Sequence, residues 1–306
     1  MTRILVTGAS GLLGLNFALR FYRDHKVTGV DRRSQLTAAP FDMLSADLAE
    51  EGAIERVLKD VQPKLVVHCA ALANLDACEE NPALAYQLNA EMPAEMAKHC
   101  HSLGIKLVHI STDAVFDGLR GNYREEDEPN PIGVYAASKL AGERAVLNAN
   151  PSALVARVNF YGWSLDGNRS LAEFFFNNLT ADRQVNGFTD VYFCPLEASL
   201  LVEILFELAV RNCAGLYHVV SSECWSKYDF GCALAERFGL DASLIQPISI
   251  QQGGLRAARS PNLRLNNEKL ICELGQPVPG QTASLERFFS LYQSGIVQHL
   301  RSPKRI

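Results

Sequence analysis

The sequence has no CxxC pair and no compact Cys/His ligand cluster, although it carries eight cysteines, at 69, 78, 100, 194, 213, 224, 232 and 272. That spacing gives no metal signature, and it predicts buried thiols in a reducing compartment. No uncharged apolar stretch reaches about 18 residues, the length a bilayer demands, so no membrane partner is expected. No block of basic residues stands out either: 29 Lys and Arg oppose 34 Asp and Glu, a formal net charge of −5. Binding to nucleic acid regardless of its sequence draws its energy from Lys and Arg neutralising phosphates, so this balance argues against nucleic acid as a partner. The run Arg301-Ser302-Pro303-Lys304-Arg305 reads as a solvated tail. Internal repeats and low-complexity tracts are lacking as well. Arg3 is followed at once by Ile4-Leu5-Val6 and then Thr7-Gly8, which leaves no room for a signal peptide and predicts a cytoplasmic protein.

What remains is an ordinary globular composition. The 306 residues, 48% of them apolar, allow one large or two modest domains with an ample core. Short β-rich runs alternate with helical periodicity through the first half. Strands are expected at 4–7, 27–30, 43–44, 65–70, 107–110 and 154–158, and helices at 12–21, 53–58, 82–103 and 135–148. Repeated βα units with such continuously apolar strands predict an α/β fold, a doubly wound parallel sheet, with the ligand crevice at the carboxyl ends of the strands. The second half is less regular, with helices expected at 196–210, 226–238 and 285–300, a strand at 216–220 and a loop over 246–264. We expect residues 1–158 with about 184–220 to form the sheet domain, and 159–183 with 221–306 a small substrate lobe.

Three constellations carry chemistry. The first, Gly8-Ala9-Ser10-Gly11-Leu12-Leu13-Gly14, is a GxxGxxG between a strand and a helix. Gly8 permits a sharp turn, Gly11 a close approach of backbone to a pyrophosphate, and Gly14 close helix–strand packing, while the helix N-terminus offers N–H donors and a positive dipole. The second is Asp31, at the end of the second strand and about 20 residues past the first glycine, where a carboxylate bonds an adenosine ribose. It favours NAD, whereas Arg32 and Arg33 can instead cradle the 2′-phosphate of NADP. Asp47, followed by Leu48, is placed either to meet the adenine or to cap a helix.

The third constellation is Tyr135 with Lys139, whose i, i+4 spacing puts phenol and ammonium on one helix face. The positive charge is expected to lower the tyrosine pKa and make it a better proton donor near pH 7. Ser111-Thr112-Asp113, after the 107–110 strand, adds a hydroxyl for a substrate carbonyl. His68 and His109, in apolar strands, and Phe174-Phe175-Phe176 read as core. In His99-Cys100-His101, adjacent helix positions point in different directions and make no ligand set.

Taken together, the glycine motif, Ala70-Ala71, the segment Ser111-Thr112-Asp113-Ala114-Val115-Phe116-Asp117-Gly118, Tyr123, Glu125, Asp127, Pro131, and Tyr135xxxLys139 with Glu143 resemble the extended short-chain dehydrogenase/reductases. Within these the chain looks like the dTDP-4-dehydrorhamnose reductase family, densely to about Gly162 and more thinly through Gly215-Leu216-Tyr217-His218 and residues 259–266. The resemblance implies an NAD(P)H-dependent reductase of a 4-keto nucleotide-activated deoxysugar. Thr112, Tyr135 and Lys139 would be its catalytic set, with Tyr135 and Lys139 also at the cofactor and Lys139 on the nicotinamide ribose. The cofactor side would further comprise Gly8, Ser10, Gly11, Leu12, Leu13, Gly14, Asp31, Arg32, Asp47, Leu48, Ala70 and Ala71. On the substrate side would stand Asp113, Asn159, Phe160 and Arg259, the last pairing a phosphate as the 246–264 loop closes over the nucleotide. A homodimer is compatible with this reading.

Three departures from the family lie on the substrate side: Asn159-Phe160 where Ser-Trp is usual, Leu196 in a Pro-Thr position, and Ser260 after Arg259 where proline is usual. An epimerase or dehydratase of the same superfamily is the alternative enzyme, although dehydratases carry an Asp-Glu pair after the threonine and here Asp113 is followed by Ala114. The alternative of another class is a non-catalytic NAD(P)-binding subunit resembling the reductase-like subunit of methionine adenosyltransferase. Such a role tolerates loss of the tyrosine or lysine, and both are present here.

Overall fold

The computed structural model describes residues 1–32, 39–253 and 260–296. In chain order the first half contains β1 (Arg3–Thr7), α1 (Leu12–Phe21), β2 (Lys26–Asp31), β3 (Asp42–Ser45), α2 (Ala53–Val61) and β4 (Leu65–His68). Then come α3 (Leu75–Glu80), α4 (Pro82–Tyr86), a π turn (Gln87–Glu91), α5 (Met92–Ser102), β5 (Lys106–Thr112), α6 (Val134–Ala149) and β6 (Leu154–Val158). The second half adds β7 (Phe160–Tyr161), α7 (Leu171–Thr180), β8 (Val185–Phe188), β9 (Tyr192–Phe193), β10 (Leu196–Glu197) and α8 (Ala198–Val210). It ends with β11 (Gly215–Val219), β12 (Trp225–Ser226), α9 (Lys227–Phe238), β13 (Ile245–Ile248), α10 (Glu268–Leu274) and α11 (Gln281–Gln293).

Seven strands form one parallel sheet in the order β11-β6-β5-β4-β1-β2-β3. This is the doubly wound arrangement expected, with the order reversing between β1 and β4. Helices cover both faces, which is why the strands are apolar at successive positions. Ile4, Val6, Val67, Val108 and Ala156 pack with α1 and α8, while Leu5, Val66, Leu107 and Val155 pack with α2 and α5. A separate aromatic core of Tyr161, Trp163, Phe175, Phe230 and Phe288 joins β7, α7, α9 and α11. Of the three phenylalanines expected in that core, Phe175 is buried, Phe176 packs against it and Phe174 is exposed.

The structure differs from the sequence reading in four places. The single helix expected over 82–103 is broken into α4, the π turn and α5. Pro93 has no N–H to offer the Asn89 carbonyl four residues earlier, and that carbonyl instead lies against Gly142 of α6, where a Cβ would come within 2.0 Å. The helix expected from 196 starts at Ala198, because Leu196-Glu197 pair with β7 and the Glu197 carboxylate caps the Ser199 and Leu200 N–H groups. The loop expected from 246 opens with a strand, since β13 pairs in parallel with β8. Finally, Cys194 and Cys224 are not thiols but a disulfide. Antiparallel β9 and β12 pair Phe193 with Trp225 and so bring the adjoining cysteines to a Cα separation of 4.2 Å. Nor are all the free cysteines buried: Cys272 is exposed and Cys69 and Cys232 are half-buried.

Candidate active site

The glycine turn lies at the carboxyl ends of β1 and β4, where the sheet order reverses. Gly8 takes φ +65°, and a Cβ there would stand 2.9 Å from the Ala70 N atom; at Gly14 it would stand 2.3 Å from the Gly8 carbonyl oxygen. Only glycine fits either position, so the turn stays tight; its own N–H groups are bonded within the fold, Gly8 and Ala9 to the Val30 carbonyl and Gly11 to the Gly8 carbonyl, and the N–H groups that open α1 are those placed for an anion. Leu12 opens that helix and Leu13 is buried beneath it. Ser10 N donates to Asp31 Oδ2 at 2.5 Å, which fixes the carboxylate against the turn. Burial pushes the Asp31 carboxyl up, eased by its Ser10 bonds and by the charge of Arg169. Arg32 is exposed beside it, while Arg33 lies outside the described residues. Asp47 accepts from Ala49 N at 3.0 Å in the turn after β3; it does not cap α2, whose N-cap is Gly52. Leu48 is buried against α2. Ala70 N donates to Thr7 Oγ1 at 3.2 Å, and Ala71 faces the cavity described next.

Two adjoining cavities open at this edge of the sheet. One, about 240 Å³, is lined by Ala71, Thr112, Asp113, Lys139 and others. The second, about 230 Å³, has mainly apolar walls that include Leu75, Ile132, Leu171, Val191 and Phe193. Tyr135, Asn159 and Phe160 border both, so the tyrosine stands where the two meet. The helix face predicted from the 135/139 spacing is therefore realised, and β5 delivers Thr112 and Asp113 to the same place. Arg259 lies outside the described residues, but its neighbour Ser260 lines the second cavity.

The electrostatics depart from expectation. Lys139 is buried, donates from Nζ to the Ile110 carbonyl at 2.6 Å, and is lowered to about 8 by burial, against which the Glu143 charge acts. The Tyr135 phenol is not lowered by that ammonium. Burial raises it to about 12, and the Asp113 charge adds to the rise while a hydrogen bond with Thr112 opposes it. Desolvation outweighs the positive neighbour because a phenolate in this enclosure loses its water. Thr112 Oγ1 donates to Asp113 Oδ1 at 3.2 Å and accepts from Ala114 N, also at 3.2 Å. Asn159 Nδ2 donates to Asp113 Oδ2 at 2.5 Å. Asp113 is buried, and that burial raises its carboxyl to about 6.

Several residues to which the sequence assigned no role support this floor. Glu143, two turns below Tyr135 on α6, is wholly enclosed, accepts from Arg157 Nη2 at 2.8 Å and from Ser111 Oγ at 2.5 Å. Asn89 in the π turn accepts from Leu72 N and donates to the Leu72 carbonyl and to Ser138 Oγ, tying the loop after β4 to α6. A buried asparagine in an otherwise helical stretch was the available signal. Arg169 and Lys227 come from the second half of the chain and reach Asp31 and Asp113 electrostatically. No local pattern marks either. His68 and His109 are core residues as expected, stacked at 5.6 Å and both lowered by burial.

With this geometry in place, the comparisons with known proteins are specific. A family model described as the RmlD substrate binding domain matches residues 1–294. The probable low-salt glycan biosynthesis reductase Agl14 of Haloferax volcanii is 35% identical over 94% of this chain and 99% of its own length. Methionine adenosyltransferase 2 subunit beta of Bos taurus is 32% identical over 90% of this chain and 84% of its own. Among solved structures, a dTDP-4-dehydrorhamnose reductase from Bacillus anthracis in complex with NADP superposes with a TM-score of 0.85 at 26% identity, over 94% of this chain and 99% of that one.

Proposed function

Since the chain belongs to the RmlD substrate binding domain family, we propose that it is an NAD(P)H-dependent reductase of a 4-keto nucleotide-activated deoxysugar. The observation that carries this reading is the meeting of Thr112, Tyr135 and Lys139 where two cavities join, one bordered by the Cys69 to Ala73 segment after β4 and the other walled by apolar side chains. The residues present suit a dinucleotide, because a Cβ at Gly8 would strike the Ala70 backbone and one at Gly14 the Gly8 carbonyl, so the tight turn that a pyrophosphate requires depends on glycine at both. In this reading Gly8, Ser10, Gly11, Leu12, Leu13 and Gly14 hold the pyrophosphate, and Asp31 bonds the adenosine ribose. Ala70, Ala71 and Lys139 flank the nicotinamide half. When bound, NAD(P)H supplies a hydride to the carbonyl carbon.

The chain's own residues do the rest. Tyr135 gives its phenolic proton to the carbonyl oxygen as negative charge develops there, which a phenol kept protonated by burial is able to do at neutral pH. Lys139 places a positive charge in the same enclosure and so favours the tyrosinate left behind. Thr112 hydrogen-bonds the carbonyl oxygen, and the apolar second cavity accepts the methyl-bearing edge of a 6-deoxysugar more readily than a hydroxymethyl group, which would lose its water there unpaired. Asp113, Asn159, Phe160 and Arg259 remain the substrate-side residues of this reading.

The test is steady-state oxidation of NADH and NADPH against a panel of keto nucleotide sugars, with Tyr135→Phe as control. Removing a positioned general acid lowers kcat by about 10² to 10⁴ while leaving cofactor titration unchanged. A second reading is favoured by the likeness to methionine adenosyltransferase 2 subunit beta: a non-catalytic NAD(P)-binding subunit. A parent protein that binds NAD(P)H yet reduces no keto sugar in the panel decides for it.

A further inference from the structure

The hydroxyl of Thr112 has a single proton, and its neighbours decide where it goes. Thr112 Oγ1 donates to Asp113 Oδ1 and accepts from Ala114 N. In this arrangement the threonine proton does not point at a substrate. A carboxylate only accepts, so an ionised Asp113 draws the threonine proton to itself. A protonated Asp113 reverses the bond: its O–H donates to Thr112 Oγ1, both threonine lone pairs are then filled, and the threonine proton is released toward the cavity.

We propose that Asp113, clamped by Asn159, is a positioning residue whose protonated form turns Thr112 into a donor toward the carbonyl oxygen of the substrate. Asn159 acts through Asp113, holding Oδ2 from the far side so that Oδ1 stays on the threonine. This deepens the reductase reading and rests on it. No proton leaves Asp113 during turnover: the proton that joins the alkoxide is that of Tyr135, and only hydrogen-bond directions change at Thr112.

The surroundings permit the protonated form near neutral pH. Asp113 is 4% exposed, and burial is the largest influence on it, raising it to about 6. The groups facing it are Thr112, Asn159 and Lys227 of α9, all of which favour its charged form, and Tyr135 of α6. Glu79, at the rim of the apolar cavity, is bound to the Val134 N–H.

Asparagine at position 113 mimics the protonated acid, since Nδ2 is able to donate to Thr112 while Oδ1 accepts from Asn159. The experiment is the pH profile of kcat between pH 5.5 and 8 with dTDP-4-dehydrorhamnose and saturating NADPH, run on the parent, Asp113→Asn, Asp113→Ala and Asn159→Ala. Parent kcat declines on the alkaline side of a midpoint near 6, approaching about tenfold per pH unit. Asp113→Asn loses that dependence, whereas Asp113→Ala, with no donor to Thr112, is slow throughout. Asn159→Ala moves the midpoint to higher pH because the carboxylate loses a bond to its charged form. A limb unchanged in Asp113→Asn overturns the inference. A readout independent of turnover is the ¹³C titration of the Asp113 carboxyl in the full chain, assigned with Asp113→Asn. A midpoint in the ordinary carboxylate range overturns the inference whatever the turnover, while a raised midpoint in a parent that reduces no keto sugar overturns the reductase reading beneath it.

Discussion

At Lys139 two effects oppose each other: burial disfavours the ammonium and the Glu143 carboxylate four residues on favours it, with burial the larger. The folded pKa, about 8, lies below the ordinary 10.5, so the unfolded chain holds this proton more tightly. Lys139 therefore weakens the fold below about pH 8, and that penalty fades as pH rises toward 10.5. In the proposed mechanism the sign reverses, because the charge proposed to steady tyrosinate and ribose is present only below about 8. Lys139→Met should reduce kcat and also weaken NADH binding, read by fluorescence titration beside turnover; intact cofactor affinity would contradict its place on the ribose. Glu197 makes a purely structural counterpart. Its Oε1 is buried without a partner, and burial raises its carboxyl to about 7. The folded state thus keeps a proton that the unfolded state gives up near 4.5, and stability falls as pH rises between those values. Glu197→Gln should raise stability at pH 8 by on the order of 1–3 kcal/mol and change little at pH 4, as thermal unfolding at the two pH values checks.

At the scale of the element, α6 presents Tyr135, Lys139 and Glu143 along one face, and the lowest of the three anchors the other two. Glu143 and Arg157 are each 3% exposed and form a fork of three bonds between α6 and β6, with His218 of β11 beside the arginine. A buried pair of this kind adds little net stability, yet breaking it strands a charge. Glu143→Gln should cost about 3–5 kcal/mol in urea unfolding. A loss below about 1 kcal/mol, the level of a surface pair, would show the arginine finding another partner. Just beside that face α6 relies on contact distance instead. Gly142 lets the helix rest on the Asn89 carbonyl, and the π turn that frees this carbonyl also aims the Asn89 side chain at the loop carrying Ala70 and Ala71. One local widening of a helix thereby sets both the seat of α6 and the position of the loop after β4.

At the scale of the molecule, the second half of the chain folds back over the sheet edge to make the apolar cavity. Its walls come from α7, β9, α9 and the segment around Ser260, far apart in sequence. The Cys194–Cys224 disulfide staples β9, a strand of that wall, to β12 and closes a loop of 30 residues. Constraining the unfolded chain over such a loop contributes about 3–4 kcal/mol. Dithiothreitol, or the Cys194→Ser/Cys224→Ser double variant, should lower Tm by a corresponding amount. Identical melting with and without reductant would show that the bridge does not persist in solution.

The succession of strands and helices, the glycine turn, and the placing of Tyr135 and Lys139 on one helix face were legible in the sequence, because each depends on neighbours within a few residues. Strand alternation, glycine conformation and the i, i+4 face are local physics, and they survive whatever the rest of the chain does. The disulfide, the π turn, the Asn159–Asp113 clamp and the reach of Arg169 and Lys227 were decided only by tertiary structure. Each joins elements whose approach is set by packing of the whole, and no spacing along the chain encodes it. The Tyr135 phenol is the clearest instance. Its place four residues before Lys139 was legible, but the direction of its pKa shift was set by the enclosure the fold builds around the half-buried ring.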